Sequence, residues 1–248
     1  VGYAIAAMNA LTPTVLNRDL TGPLAKLQEK PAPFNLVVHQ HYNPENITQY
    51  NIVPGLMGVV LTMTMVVITA LAITRERERG TMENLLATPV RPFEVMIGKI
   101  MPYIAVGYIQ MTLILLAARF IFQVPMIGNF VLLYAVSFLF IAANLAVGIT
   151  FSTLARNQLQ AVQMAFFFFL PSILLSGFMF PFRGMPEWAQ WIGSALPNTH
   201  FLRIARGILL KGNGLTEIIP HLWPLLIFLA VAMTIGVSVI ISLTLTPM

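Results

Sequence analysis

Ile52-Val53-Pro54-Gly55-Leu56-Met57-Gly58-Val59-Val60-Leu61-Thr62-Met63-Thr64-Met65-Val66-Val67-Ile68-Thr69-Ala70-Leu71-Ala72-Ile73 runs without a single charge. As a helix this stretch rises about 33 Å, and the hydrocarbon core of a bilayer is about 30 Å thick. Four further stretches read the same way, at about 100–118, 130–154, 161–180 and 222–245. Pro102 is expected in a first helical turn, where its missing N–H is harmless. The fourth stretch holds the run Phe166 to Phe169, followed by Pro171. Uniformly apolar segments of this length are spans rather than core helices of a soluble domain. The fold class is therefore an all-α membrane protein with five transmembrane helices.

Composition agrees. Of 248 residues, 57% are hydrophobic and 9% charged, against about 25% charged in an ordinary soluble domain. Mean hydropathy is +0.80. The formal net charge of +5 reads as loop charge that sets orientation, not as a nucleic-acid surface. The absence of cysteine excludes disulfides, thiolate metal sites and cysteine nucleophiles. His39, His41, His200 and His221 read as solvent-facing loop residues, and no metal-ligand set or enzyme signature is found. The chain is expected not to be an enzyme.

Residues 1–50 differ from the rest. Pro13, Pro23, Pro31, Pro33 and Pro44 lie among mixed charges, which marks water-exposed material. No basic stretch followed by an apolar one opens the chain, so no signal peptide is expected there. With Val1 first, the chain reads as starting inside a longer one.

Charge concentrates between the first two spans, in 74–99. Arg75, Arg77, Arg79, Arg91 and Lys99 lie beside two membrane ends, which places this loop in the cytoplasm. The short loop with Arg156 then shares that side. The N-terminal segment, the turn 119–128 and the region 183–221 lie outside. The outer region carries Arg183, Arg203, Arg206 and Lys211, so the bias is mixed. Trp188 and Trp191 open an amphipathic stretch from Glu187 to Leu210 and fit an interfacial belt.

Within the charged loop, Thr81 caps a short helix and Glu83 lies favourably in its first turn. Met82, Leu85 and Leu86 form an apolar ridge, and Thr88-Pro89 ends the helix. The same residues also fit an ordinary solvated loop. None of the nine acidic residues falls within an expected span, which argues against self-contained ion-coupled transport. Nor does the chain hold a phosphate-cradling G-x-x-x-x-G-K-[ST] loop. Any ATP must be bound elsewhere.

The order Glu78-Arg79-Gly80-Thr81-x-Glu83-x-Leu85-Leu86-x-Thr88-Pro89-Val90, then Glu94 and Gly98-Lys99, resembles the cytoplasmic signature of the ABC type-2 exporter permeases. Tyr42-Asn43-Pro44-Glu45 with Ile52-Val53-Pro54-Gly55-Leu56 is similar to that family's approach to its second span. Ser176-Gly177-Phe178-Met179-Phe180-Pro181, Met185-Pro186, Leu196-Pro197-Asn198-Thr199, Arg206-Gly207-Ile208 and Lys211-Gly212 resemble its outer region before the last span. The resemblance covers about residues 35–225.

The resemblance implies helices two to six of a six-helix permease, with a cytoplasmic coupling helix and outer amphipathic helices. Residues 1–50 would be the C-terminal remnant of an extracytoplasmic domain, and 51–248 the transmembrane domain. The first span is missing, so the chain reads as a fragment or a partial gene. The resemblance further implies an inner-membrane exporter of drug-like or lipid-like amphipathic substrates. Its partners would be membrane lipids, a second permease copy or paralogue, and a cytoplasmic ATPase that holds ATP and Mg. No cofactor is expected on this chain. ATPase coupling would fall to Arg75, Glu76, Glu78, Gly80, Thr81, Met82, Glu83, Leu85, Leu86, Thr88, Pro89, Glu94 and Lys99. Asn144, Gln163, Ser172 and Ser176 are candidates for a substrate path, or equally for helix–helix hydrogen bonds. Residues 232–248 also resemble a segment of resistance-nodulation-division pumps. That leaves a fragment of a proton-driven efflux pump as the alternative.

Overall fold

The computed structural model describes residues 48–80 and 92–245. The expected N-terminal remnant therefore lies almost wholly outside the described residues. So do Thr81, Met82, Glu83, Leu85, Leu86, Thr88 and Pro89 of the expected coupling helix.

Among the described residues seven α-helices follow one another: α1 Thr48–Glu78, α2 Pro92–Phe120, α3 Phe130–Leu154, α4 Gln158–Leu175, α5 Glu187–Ala195, α6 Pro197–Lys211 and α7 Leu215–Leu245. Five are long and apolar enough to cross a membrane, over Ile52–Glu76, Ile100–Phe120, Phe130–Leu154, Gln158–Leu175 and Leu215–Ile241. The chain is a multi-pass, all-α membrane protein.

α3 is the central helix: 61% of its span is buried, against 17% for α7. Its most extensive packing is on α1, then α7. The α1–α3 seam is made of small residues. A Cβ on Gly148 would meet Thr69 Oγ1 at 1.9 Å and the Val66 carbonyl at 2.6 Å, so only glycine admits this approach. One turn on, the Ser152 hydroxyl accepts from the backbone N–H of Ile73 at 2.7 Å and of Thr74 at 3.0 Å. Gly148 and Ser152 form a small-x-x-x-small pair of the kind that lets membrane helices approach closely. Outward-facing Leu113, Phe167, Leu226 and Ile227 remain exposed, as lipid-facing side chains should.

Several boundaries differ from the sequence reading. α2 begins at Pro92, so Pro102 sits well inside it, not in a first turn. Proline removes one backbone donor there, and the membrane helix absorbs the loss. The fourth span starts at Gln158 and ends at Leu175 rather than covering 161–180, because Gly177 turns the chain at φ +82°. The fifth starts at Leu215, seven residues before Leu222. Glu217 makes the early start possible: its Oε2 accepts from Gly214 N–H at 2.7 Å, half of a capping box. Glu76 and Glu217 consequently lie at the ends of spans expected to contain no acidic residue.

The stretch Glu187–Leu210 is two helices, in keeping with the outer amphipathic helices expected. They part at Leu196-Pro197, where proline opens α6 at its first helical position. α5 keeps Trp188 and Trp191 exposed. α6 is instead sunk into the bundle, with Phe201, Leu202, Ile204, Ala205 and Ile208 all buried. Phe201 stacks on Phe140 of α3 with ring centroids 4.0 Å apart and planes 5° apart. Gly212 closes α6 in the left-handed region at φ 68°, where glycine carries no Cβ penalty. The turn before α3 is held to α6 by Ile127 N–H donating to the Leu209 carbonyl at 3.1 Å.

This burial corrects the reading of His200 and His221 as solvent-facing loop residues. Both are helical, on α6 and α7, with ring centroids 5.7 Å apart. His200 is 7% exposed, and its Nε2 lies 2.7 Å from the Ser194 carbonyl.

Candidate functional site

α1 carries its last apolar residues straight into a charged end. Ile68, Leu71 and Ala72 are followed on the same helical face by Arg75, Glu76 and Arg79, since residues three and four apart are neighbours on a helix. With Tyr103 of α2 they line a cavity of about 360 Å³. Arg75 is exposed, Glu76 half-buried, and Gly80 exposed at φ 71°. On the far side of residues 81–91, Glu94 falls in the first turn of α2, where a carboxylate complements the helix dipole. The side chain of Lys99 lies outside the described residues.

Glu78 reaches across to another helix. Its Oε1 accepts from Gln158 N–H at 2.7 Å, and its Oε2 from Gln158 Nε2. The backbone donor first, and then the side-chain amide, hold the Glu78 carboxyl below its ordinary value. Neighbouring caps complete the start of α4. Asn157 Oδ1 accepts from Gln160 N–H at 2.8 Å, and Gln160 Oε1 from Arg156 N–H at 2.8 Å. The end of α1 and the start of α4 are thus one hydrogen-bonded unit, with Glu78 finishing a helix it does not belong to.

Of the expected coupling residues, the structure brings Arg75 and Glu76 together in the cavity and commits Glu78 to α4. Arg79 was read from sequence as loop charge and part of the signature, not as a coupling residue; Ile68 and Tyr103 in the cavity, and Gln158 in the tie, were not singled out. The pattern Asn157-x-x-Gln160 was the available signal for the capped start of α4.

The four candidate path residues lie on α3 and on α4 and its C-terminal cap, and differ in exposure. Asn144 is fully buried on α3, with Nδ2 donating to the Phe140 carbonyl at 2.8 Å; its Oδ1 has no hydrogen-bond partner among the described residues. Ser172 and Ser176 are buried, and their hydroxyls bond to the Phe168 and Ile173 carbonyls at 2.8 and 3.1 Å. Gln163 is exposed on α4. Among the described residues, no three His, Cys, Asp or Glu side chains converge to hold a metal ion.

Comparison with known proteins places these features in a family. The family model described as ABC-2 family transporter protein matches residues 3–238. The chain is 35% identical over 206 residues to the "Probable multidrug ABC transporter permease YbhR" of Escherichia coli K12, covering 82% of this chain and 56% of that protein. It is 38% identical over 173 residues to "Probable multidrug ABC transporter permease YbhS" of the same organism, covering 69% and 46%. A more distant relative is "ABC transporter G family member 20" of Dictyostelium discoideum, 28% identical over 162 residues, covering 65% and 22%. The chain spans about half the length of the bacterial relatives. The family match also runs past residue 232, into the segment for which the proton-driven pump alternative was raised, and so favours the permease reading there. Because the match extends over nearly all of its residues, this protein belongs to the ABC-2 family of transporter proteins.

Proposed function

We propose that this chain is the permease part of an ATP-driven exporter. It moves drug-like or lipid-like amphipathic molecules outward across the cytoplasmic membrane, with residues 74–99 facing the cytoplasm. ATP and Mg are held by a separate ATPase, and a second permease copy or paralogue completes the pathway. Membership of the ABC-2 family and the "multidrug" names of the bacterial relatives support this reading.

The observation that carries it is the continuity of α1 and α2. Each runs as one helix from the charged loop through the bundle, 31 and 29 residues long, or about 45 Å at 1.5 Å per residue. A push on the segment between them is delivered along two stiff rods to the helices of the core. Glu78 passes the same push to α4.

The apolar ridge Met82, Leu85 and Leu86, with Glu83 beside it, is the surface assigned to the ATPase. Glu83→Lys combined with Leu85→Asp is expected to abolish export of a dye substrate while the protein still reaches the membrane and the ATPase still hydrolyses ATP. Full export by that variant at normal abundance overturns the assignment.

A further inference from the structure

The cavity at the end of α1 joins the coupling candidates Arg75 and Glu76 to Arg79 and to an apolar lining. Its floor is apolar, made of Ile68 and Leu71 of α1 with Tyr103 of α2, and its mouth carries Arg75, Arg79 and Glu76. The order along one helical face is apolar first and basic after. The span of α1 ends at Glu76, so the cavity straddles the level at which hydrocarbon gives way to headgroups. The next acid along, Glu78, is engaged by Gln158 and does not face the two arginines as a free counter-charge.

Two guanidinium groups four residues apart present planar donor forks suited to phosphate oxygens. Basic pockets between membrane helices take lipid headgroups for this reason. A volume of about 360 Å³ admits a headgroup and the start of its chains, not a whole lipid. Free phosphate would satisfy the arginines but leave the apolar floor uncovered. We propose that this cavity binds the phosphate headgroup of a membrane phospholipid, with Arg75 and Arg79 on the phosphate and the chains starting over Ile68 and Leu71.

The proposal rests on the membrane fold alone. It is tested on the purified permease without any ATPase, so its failure leaves the coupling assignment untouched. The chain is purified in detergent and exposed to dioleoylphosphatidylglycerol, to dioleoylglycerol, or to inorganic phosphate. Retained molecules are then read by native mass spectrometry. Wild type is expected to retain the phosphatidylglycerol, and the variant carrying both Arg75→Gln and Arg79→Gln to retain roughly tenfold less, as loss of charge-assisted bonds implies. Ile68→Trp, which fills the floor and leaves both charges, is expected to lower retention as well. Unchanged melting checks that each variant is folded. Equal retention by the double variant overturns the proposal. So does equal retention of dioleoylglycerol, or inorganic phosphate that phosphatidylglycerol fails to displace.

Discussion

At the end of the bundle where α6 is inserted, side chains are buried and interlocked. Phe201 lies flat on Phe140, Asn198 donates to the Ser172 carbonyl, and Thr199 Oγ1 to the Gly193 carbonyl at 2.6 Å. At the other end, α1 leaves the core as a charged rod. There the exposed carboxylate of Glu78 ties it to α4. Both ends use hydrogen bonds between helices; at the charged end the Ser152 bonds to α1 are buried, and only the Glu78 tie beyond them lies in water. A buried bond is expensive to break and fixes geometry, whereas an exposed one is exchanged with water at little cost. The contacts around α6 are thus fixed, whereas the tie made by Glu78 beyond the last buried turn of α1 is adjustable.

The largest expected effect falls on the packed end. Phe201→Ala removes one partner of the stack and leaves a cavity against α3; aromatic-to-alanine changes in cores cost about 3–5 kcal/mol. The expected outcome is a large fall in melting temperature in detergent and poor membrane yield. A variant that melts like wild type would show that this end is no more rigid than the other.

A smaller effect at the same end depends on pH. Burial pushes the His200 imidazole below its ordinary value; the Ser194 carbonyl opposes this and nearby Arg203 adds to it. The folded state therefore disfavours the proton, and the unfolded state binds more protons in the interval below about 6.5, the ordinary histidine value. Stability is full above that value and is lost as pH falls through it toward the lower folded value. Melting from pH 7.5 down to 5.5 should show this decline, and His200→Gln should flatten it. His221 and Arg203 face the same ring and keep their own contributions.

The smallest effect on stability is expected at Glu78. Glu78→Gln weakens the acceptor for Gln158 at a fully exposed position, so melting should stay where it is while dye export falls. Melting loss as large as that of Phe201→Ala would erase the contrast between the two ends.

The spans were legible because an apolar run without charge needs no tertiary information. α3 was read to its residue limits, 130–154, where Asn129 caps it by accepting from Val131 N–H at 2.8 Å. Burial of α6 was not legible. Asn198, His200, Arg203 and Arg206 give it the composition of a surface helix, and only its seat among α1, α3 and α7 buries the first two and half-buries the arginines. The early start of α7 was obscured by Pro220 and Pro224, which look like terminators in a soluble chain. At the charged end, Arg75, Glu76 and Glu78 stood out by charge density. Their division of labour did not, since it depends on Gln158, far away in sequence. The family resemblance pointed to the outer motifs around Pro197 and Arg206 without showing that they are packed inside.

The tie between Glu78 and Gln158 spans 80 residues of sequence, and that separation bears on how the protein is made. α1 is synthesised before α4, which emerges only after two further spans have followed. Its first amide then meets an acceptor already held in position by the Ser152 bond between α3 and α1. The earlier helices act as a jig for the later one, and errors in placing α1 are inherited by α4 during insertion.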